Sequence, residues 1–541
     1  MTRSDTMPME QIRLATDVLV VGAGPAGLAA AAETAALGYG VILAHSGGDA
    51  DCGSSALAAD PDLLKKLSAD PRVSILSGTR LADAAGLPGD FTVRLSTEGR
   101  LTEKKVGAIV VATDFTRKSL EGVYGLALSE KVISQSGLEA MLCDKAAADK
   151  RFAGKESDVA FFVGYGQDGN ALIMERILRS IEALKKIDGV NVYVFVGDIK
   201  LAADGLDRLY AAARRAGVIY FKSYDKPAIT SENGQISIRF HENVLRRDLE
   251  LSPDLVVVEE ALSADVENAV LAQMLRLDLS AEGFFQPENV HAFPVNSNRE
   301  GIFVVGAARD RVNLPDGWTD AANAALSIKA LLGGGVKTVP AGRAKVDTDK
   351  CTICLTCYRA CPHGAIYWDS RAIISPVACR ACGICASECP MEAIQVEGYT
   401  DKEIRGEIAV AGEKKGDAPL IVAFACQNSA LEAGKMAGAF ELPLPAGLSV
   451  VKVPCAGKID IDYILEAFVQ GADGVMVATC HTGNCKSERG NTFASWRTAD
   501  AARRLAAVGV DPKRLMFATF ASNMGVEFSR VAKEFEETIK A

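Results

Sequence analysis

The chain has 541 residues, 49% of them hydrophobic and 24% charged, with a formal net charge of −10. That length suits three or four domains, and an acidic balance with no strongly basic tract argues against nucleic acid as a partner. No apolar run approaches the roughly 18–20 residues that span a bilayer, and Met1–Thr16 lacks the apolar core of a secretory signal; a cytoplasmic protein without a membrane span is expected.

The first element is an apolar strand, Asp17–Val21, running into Gly22-Ala23-Gly24-Pro25-Ala26-Gly27 and then an Ala-rich helix to about Leu37. This is GxGxxG between strand and helix. Its glycines permit a tight turn and close approach of a pyrophosphate, and the helix start supplies amide donors. Val41–Ala44 is the next strand. An acidic residue normally follows it to hold the ribose hydroxyls, but here stand Ala44, His45 and Ser46. His45 is either a ribose partner or a surface histidine. Two later segments point to FAD. Ala108–Thr113 has the look of the strand leading to a flavin-facing turn, with Asp114 where a glycine is expected. Gly301–Ala307 ends at Gly306 and Ala307 and precedes a helix around Thr319–Leu332. The candidate FAD contacts are therefore Gly22, Ala23, Gly24, Pro25, Ala26, Gly27, His45, Thr113, Gly306 and Ala307.

Between these segments the pattern repeats. Val159–Val163 leads into Gly164-Tyr165-Gly166-Gln167-Asp168-Gly169, a helix from about Ala171 to Leu184, the strand Asn191–Val196, and Asp198. Such a unit commonly binds NAD(P)H. Against that, Asp168 would repel phosphate, and a retained fold with no nucleotide is the competing reading.

Eight of the fourteen cysteines follow in one short stretch. Cys351, Cys354, Cys357, Cys361 with Pro362, and Cys379, Cys382, Cys385, Cys389 with Pro390, each read C-x2-C-x2-C-x3-C-P. That spacing wraps two [4Fe–4S] clusters, with the fourth cysteine of each run ligating the other cluster. The expected sets are Cys351, Cys354, Cys357 and Cys389, and Cys379, Cys382, Cys385 and Cys361. Zinc sites rarely take this form.

After a charged link, Asp401–Asp417, three apolar strands end in cysteine: Leu420–Ala425 before Cys426, Leu448–Pro454 before Cys455, and Gly474–Thr479 before Cys480. Helical stretches such as Ile461–Val469 lie between them. Parallel strands align their C-terminal ends on one edge, so these thiols should converge, with Cys485 closing a set of four. Four thiolates suit a [2Fe–2S] cluster or zinc; the ferredoxin upstream favours iron. His481 is a weaker ligand candidate. Cys52 and Cys143 are isolated.

Residues 15–400 resemble the A subunit of heterodisulfide reductase, on GAGPAGLAAAAE, VGAIVVAT, VYVFVGDIK, GIFVVGAARDRVNLPD and the doubled cysteine motif. Residues 418–541 resemble the delta subunit of methyl-viologen-reducing hydrogenase, on FACQNSA, VKVPCAGKID and GVMVATCHTGNC. The fusion is similar to the B subunit of the quinone-interacting membrane-bound oxidoreductase. The resemblance implies FAD, two [4Fe–4S] clusters and one [2Fe–2S] cluster. It implies partner redox subunits, among them a second heterodisulfide reductase A-like flavoprotein and a membrane haem/quinone subunit. It also implies that the second nucleotide-like unit is not a nicotinamide site. The further cysteines that such flavoproteins use for an extra cluster are missing, since only Cys52 and Cys143 precede residue 351.

The expected fold is α/β: a two-dinucleotide-binding-domain flavoprotein fold, a bacterial-type 2[4Fe–4S] ferredoxin domain, and a C-terminal α/β domain with a parallel sheet. The expected partition is 1–150 and 296–340 for the FAD-binding domain, 151–295 for the second nucleotide-like domain, 341–400 for the ferredoxin and 401–541 for the [2Fe–2S] domain. An electron-transfer subunit of an oxidoreductase complex is the leading expectation. The alternatives are an electron-bifurcating core coupled to hydrogenase or formate dehydrogenase, an NAD(P)H-dependent flavin oxidoreductase, and a zinc-bearing scaffold.

Overall fold

Val18–Val21, Val41–Ala44 and Ala108–Val111 are apolar without alternation and are buried along their whole length, as parallel strands covered on both faces must be. In the computed structural model, which describes residues 9–47, 61–152, 154–232, 235–289, 293–340 and 343–541, they form the centre of a sheet. Its order is Pro287–Asn289, Phe293–Ser297, Ile302–Val304, Ala108–Val111, Val18–Val21, Val41–Ala44, Val73–Leu76. Val18–Val21 pairs in parallel with Val41–Ala44 on one side and Ala108–Val111 on the other. That reversal of strand order opens a crevice at the strands' C-terminal ends. The helices Pro25–Ala36 and Leu314–Leu332 pack on one face; alanines at Ala30, Ala31, Ala321 and Ala324 are buried there. A meander, Thr79–Leu87, Asp90–Thr97 and Arg100–Val106, covers the other face through Leu81, Phe91, Val93 and Leu95. The N-terminal strand Met9–Arg13 pairs antiparallel with Val336–Pro340, tying the two ends of this unit together.

The second unit is built on a parallel sheet ordered Val132–Ser134, Leu255–Val258, Ser157–Val163, Val190–Val196, Ile219–Lys222. It takes its edge strand, Val132–Ser134, from ahead of residue 151, the start that the sequence pattern suggests. The two units are joined by an antiparallel ladder, Phe115–Ser119 with Glu260–Ala264.

The doubled cysteine motif folds into two short ladders, Ala344–Val346 with Ile394–Val396 and Ile366–Trp368 with Ala372–Ile374. Two single-turn helices, Thr356–Ala360 and Ile384–Ser387, carry Cys357 and Cys385. The sequence repeat is also a backbone repeat. Ile353 and Ala381, each one residue before the second cysteine of its run, have φ 57° and 51°; Leu355 and Gly383, one residue after it, have φ 60° and 84°. Three of these four are not glycine, and left-handed backbone in such residues is a strain kept only where the surroundings over-determine it.

Asp401–Asp417 is not a free link. Residues Asp401–Glu413 form a helix with a capping box from Thr400 and Glu403, and Ile404, Ile408 and Ala411 are buried. It leads to a sheet of four parallel strands, Leu448–Val453, Ile421–Cys426, Gly474–Thr479 and Leu515–Thr519 in that order. The last strand is an addition to the three that end in cysteine. Ferredoxin, helix and sheet share one apolar core that includes Ile394, Val396, Ile404, Ile408, Phe424, Ile464 and Val477. On the other side Val377 of the ferredoxin enters the core of the first unit. No helix among the described residues is long and apolar enough to cross a membrane.

Candidate functional site

The first candidate site is the crevice over Gly22–Gly27. A side chain at Gly22 (φ 112°) would place Cβ 2.1 Å from the Ala112 carbonyl oxygen, and one at Gly27 would lie 2.1 Å from the Gly22 carbonyl oxygen. These glycines serve the turn and its packing on the helix. Gly24 differs: the nearest atom to its Cβ position is Asp114 Cγ at 3.8 Å. The fold itself leaves room there, and the room faces the crevice. No side chain caps the helix at Gly24, and Pro25 takes the first helical position, so the first amides are free for an anion.

The crevice continues to both sides of Gly24, Thr113 and Asp114. One arm is lined by His45, Ser46, Gly47, Thr79, Arg80, Asp265 and Glu267. The other runs between the two units past Arg117, Glu175, Arg179, Gly306, Ala307, Asn313 and Leu314. Ala23, Pro25 and Ala26 also line one arm or the other. His45 does occupy the place of the missing acid, with its Nε2 3.1 Å from Ser77 Oγ. Carboxylates absent after the second strand return from a distant segment: Asp265 and Glu267 line this arm, and Glu267 pairs with Arg80 at 3.2 Å. Thr113 donates its hydroxyl to Asn268 Oδ1 at 2.7 Å, which leaves its main chain to face the crevice. Asp114, where glycine is expected, accepts from the Phe115 amide at 2.8 Å and pairs with Arg117 at 3.1 Å. In the other arm Asn313 caps the helix Leu314–Leu332, accepting from the Asp316 amide at 3.0 Å, while its buried Nδ2 has no partner. An elongated crevice with free amides at its waist and an orphaned donor in one arm fits a dinucleotide such as FAD.

In the second unit the equivalent turn is already filled. The Gly164 amide donates to both oxygens of Glu259, at 3.1 and 3.0 Å, and the Gly166 amide donates at 3.3 Å. Gln167 Nε2 donates at 3.3 Å and the Tyr124 hydroxyl at 2.6 Å. Glu259 is buried, and it takes the amides that in such a turn face a pyrophosphate. Burial pushes the Tyr165 phenol up to about 12, and the Glu259 charge adds to it. Asp198, the acid after the second strand, is held by Lys200 at 2.6 Å.

The ferredoxin cysteines fall into the two crossed groups. Cys351, Cys354, Cys357 and Cys389 surround one cavity, shielded by Ile353, Leu355, Met391 and Ile394. Cys361, Cys379, Cys382 and Cys385 are mutual neighbours in the other group. The repeat extends to the sulfur contacts. The Ala365 amide donates to Cys361 Sγ at 3.4 Å and the Ala393 amide to Cys389 Sγ at 3.3 Å, each four residues after its cysteine. Burial pushes the Cys357 thiol up to about 11 and the Cys382 thiol up to about 12, and raises Cys385 well above the ordinary range. Thiols that resist ionising when buried become thiolates when a metal supplies the positive charge. Two crossed sets of four converging sulfurs, roofed by apolar side chains and met by main-chain amides, fit two [4Fe–4S] clusters.

Cys426, Cys455, Cys480 and Cys485 line a third cavity at the edge of the C-terminal sheet. Cys455 Sγ and Cys485 Sγ are 3.9 Å apart. Hydrogen bonds from Cys455 and Cys480 hold Cys426 and Cys485 well below the ordinary thiol range. A Cβ at Gly490 would lie 2.2 Å from Cys455 Sγ, so only glycine lets the helix Gly490–Ala507 close over the set. Four sulfurs meeting at one sheet edge fit a metal centre. His481 stands outside it, with Nδ1 2.9 Å from Thr519 Oγ1 and Nε2 3.3 Å from Met524 Sδ. This group adjoins the second ferredoxin group: Ser487, which lines the C-terminal cavity, bonds Cys382. Cys143 is exposed at the end of a helix; Cys52 lies outside the described residues.

Residues 421–541 match the family model of the methyl-viologen-reducing hydrogenase delta subunit, and residues 344–367 match a 4Fe–4S binding domain. The A subunit of the ferredoxin:CoB-CoM heterodisulfide reductase of Methanosarcina mazei is 26% identical over 455 residues, 81% of this chain and 57% of that one. The chain thus spans little more than half of that relative's length. The iron-sulfur D subunit of the F420-non-reducing hydrogenase of Archaeoglobus profundus is 36% identical over 122 residues, 23% of this chain and 89% of that one. Among solved structures, the thioredoxin reductase of T. acidophilum aligns over 58% of this chain and 98% of its own, at 15% identity and a TM-score of 0.39. The chain is heterodisulfide reductase A-like over most of its length, and its C-terminal domain belongs to the methyl-viologen-reducing hydrogenase delta-subunit family.

Proposed function

We propose that this chain is the electron-transfer subunit of a larger oxidoreductase complex, carrying FAD, two [4Fe–4S] clusters and one [2Fe–2S] cluster. FAD exchanges electrons in pairs and iron–sulfur clusters exchange them singly, so a chain that holds both converts between the two regimes. Gly22, Gly24 and Gly27 would seat the FAD pyrophosphate, with His45, Thr113, Gly306 and Ala307 along the cofactor. The crossed cysteine sets would hold the cubanes, and Cys426, Cys455, Cys480 and Cys485 the two-iron centre. The carrying observation is adjacency: the group Cys361, Cys379, Cys382 and Cys385 meets the C-terminal group across Ser487 and meets the flavin unit through Arg299, which lies against Gly364. The partition 1–150 with 296–340, 151–295, 341–400 and 401–541 belongs to this reading, with the second unit's edge strand reaching back to Val132–Ser134.

The C-terminal domain would dock a partner redox subunit. A second heterodisulfide reductase A-like flavoprotein and a membrane haem/quinone subunit, in a quinone-linked sulfur metabolism at the cytoplasmic face, fit the fusion. A bifurcating core coupled to hydrogenase or formate dehydrogenase is the second reading, favoured by the likeness to heterodisulfide reductase subunits. The NAD(P)H-dependent reading is weaker, because Glu259 takes the amides a nicotinamide dinucleotide would need.

The test is transmission. The full chain, loaded with FAD and iron, is reduced anaerobically with reduced methyl viologen, and flavin bleaching is followed in the wild type and in Cys382→Ser. The proposal expects fast bleaching in the wild type and at least tenfold slower bleaching in the variant. Equal rates would separate the clusters from the flavin and end the relay reading.

A further inference from the structure

The two ferredoxin cysteine groups share a motif but not an environment. The group Cys351, Cys354, Cys357 and Cys389 looks out past the exposed Cys354 and the half-exposed Met391. The group Cys361, Cys379, Cys382 and Cys385 is closed in, and two arginines from outside the ferredoxin, Arg276 and Arg299, line the cleft beside Cys361. Arg299 lies flat on Gly364, three residues after Cys361. A Cβ on Gly364 would come within 2.7 Å of Arg299 Nε. Arg299 donates from Nη1 to the Leu275 carbonyl at 2.8 Å. Arg276 stacks over the Tyr358 ring at 4.2 Å and donates to the Tyr358 carbonyl at 3.2 Å. Both charges act on Cys361.

Neither guanidinium is paired with a carboxylate among the described residues, although Asp278 and Glu488 line the same cleft. The cost of bringing two like charges together without a counter-ion requires something negative nearby. Cys361 offers it, as a ligand to a cluster whose charge becomes more negative on reduction. The other arginines nearby are already engaged: Arg359, in the same cleft, donates to the Cys354 carbonyl of the outer group at 3.1 Å, and Arg380, next to Cys379 of the inner group, pairs with Glu300 at 3.0 Å.

We propose that Arg276 and Arg299 are positioning residues that raise the potential of the cluster held by Cys361, Cys379, Cys382 and Cys385 above that of its twin. This rests on the cluster reading above. A fixed positive charge in a partly dry site favours the reduced, more negative state. The inner cluster is then the resting place for an electron travelling between flavin and C-terminal centre. The outer cluster, lower in potential, fills afterwards.

The experiment is a redox titration of the reconstituted full chain followed by electron paramagnetic resonance, with iron content measured on each sample. Wild type is compared with Arg299→Met, Arg299→Lys and Arg276→Met, and Cys382→Ser identifies the inner cluster. Arg299→Met should lower the reduced-to-oxidised ratio of that cluster about tenfold at a fixed solution potential, which for one electron is about 59 mV. The outer cluster should not move, and Arg299→Lys should recover most of the shift. Should Arg299→Met lose iron, Arg276→Met reads the same effect from the other side. If both variants keep their iron and neither midpoint moves, or if the outer cluster moves instead, the proposal is overturned while the cluster reading stands. A wild type that holds no iron overturns the cluster reading itself.

Discussion

Replacing Glu259 by alanine tests the claim that the second nucleotide-like unit is sealed by its own side chain. The carboxylate accepts from the Gly164 and Gly166 amides, from Gln167 and from the Tyr124 hydroxyl. A hydrogen bond to a charged acceptor contributes roughly 1.5–3 kcal/mol, and the losses are not additive because the donors share one acceptor. Truncation strands buried donors, for which a cost of about 3–5 kcal/mol is expected. For a unit of this size, about 2–4 °C of melting temperature follows each kcal/mol, so its transition should fall by about 6–20 °C. Differential scanning fluorimetry on FAD-loaded chain reads the transition, and hydrogen exchange at residues 159–167 assigns it to this unit. Glu259→Gln keeps one acceptor oxygen and should fall about half as far. Pyrophosphate should restore part of the loss in Glu259→Ala and do nothing to the wild type. A Glu259→Ala protein that melts within about 1–2 °C of wild type, or a wild type stabilised by pyrophosphate at this loop, would refute the reasoning.

Other substitutions separate the sites. Cys361→Ser should remove the cluster shared with Cys379, Cys382 and Cys385, and Cys389→Ser the one shared with Cys351, Cys354 and Cys357, each leaving the other cubane signal in the resonance spectrum. Gly24→Val should cut flavin content at least tenfold while shifting the stability of the flavin-free chain by less than about 1 kcal/mol, because the nearest atom is 3.8 Å from the new Cβ. Asp401 predicts an acid limit. Burial alone would raise its carboxyl, but bonds from the buried Lys458, from Tyr463 and from Gln395 hold it below the ordinary range. A depressed folded pKa contributes stability that is complete above the unfolded value of about 3.9 and is lost as pH falls through the folded value. Asp401→Asn should therefore cost about 3 kcal/mol at neutral pH and flatten the acid limb of a melting-temperature profile below about pH 4.

What can be read in advance follows from the range of the interactions. Cysteine spacing, the strand Val18–Val21 and the turn Gly22–Gly27 are local patterns, and the structure places them together as their spacing implies. The strand Leu515–Thr519 is hard to see in the sequence because it lies at the sheet edge and is only half-buried, so its apolar signal is diluted. The helix Asp401–Glu413 is obscured by its charges, although Ile404, Ile408 and Ala411 carry a helical stripe. Glu259 comes to Gly164 from 95 residues away. Arg299 reaches Gly364 across a unit boundary. Neither contact leaves a trace in local pattern, since only the folded sheet order decides which strand end faces which turn.

The most direct measurement of the central claim is the cofactor content of the anaerobically reconstituted full chain, with its resonance spectrum on reduction. The account predicts one FAD and about ten irons per chain, as two cubanes and one two-iron centre. It also predicts that Cys455→Ser removes the two-iron signal alone. Zinc in the C-terminal set, or a chain that folds without flavin and holds only traces of iron, would contradict it.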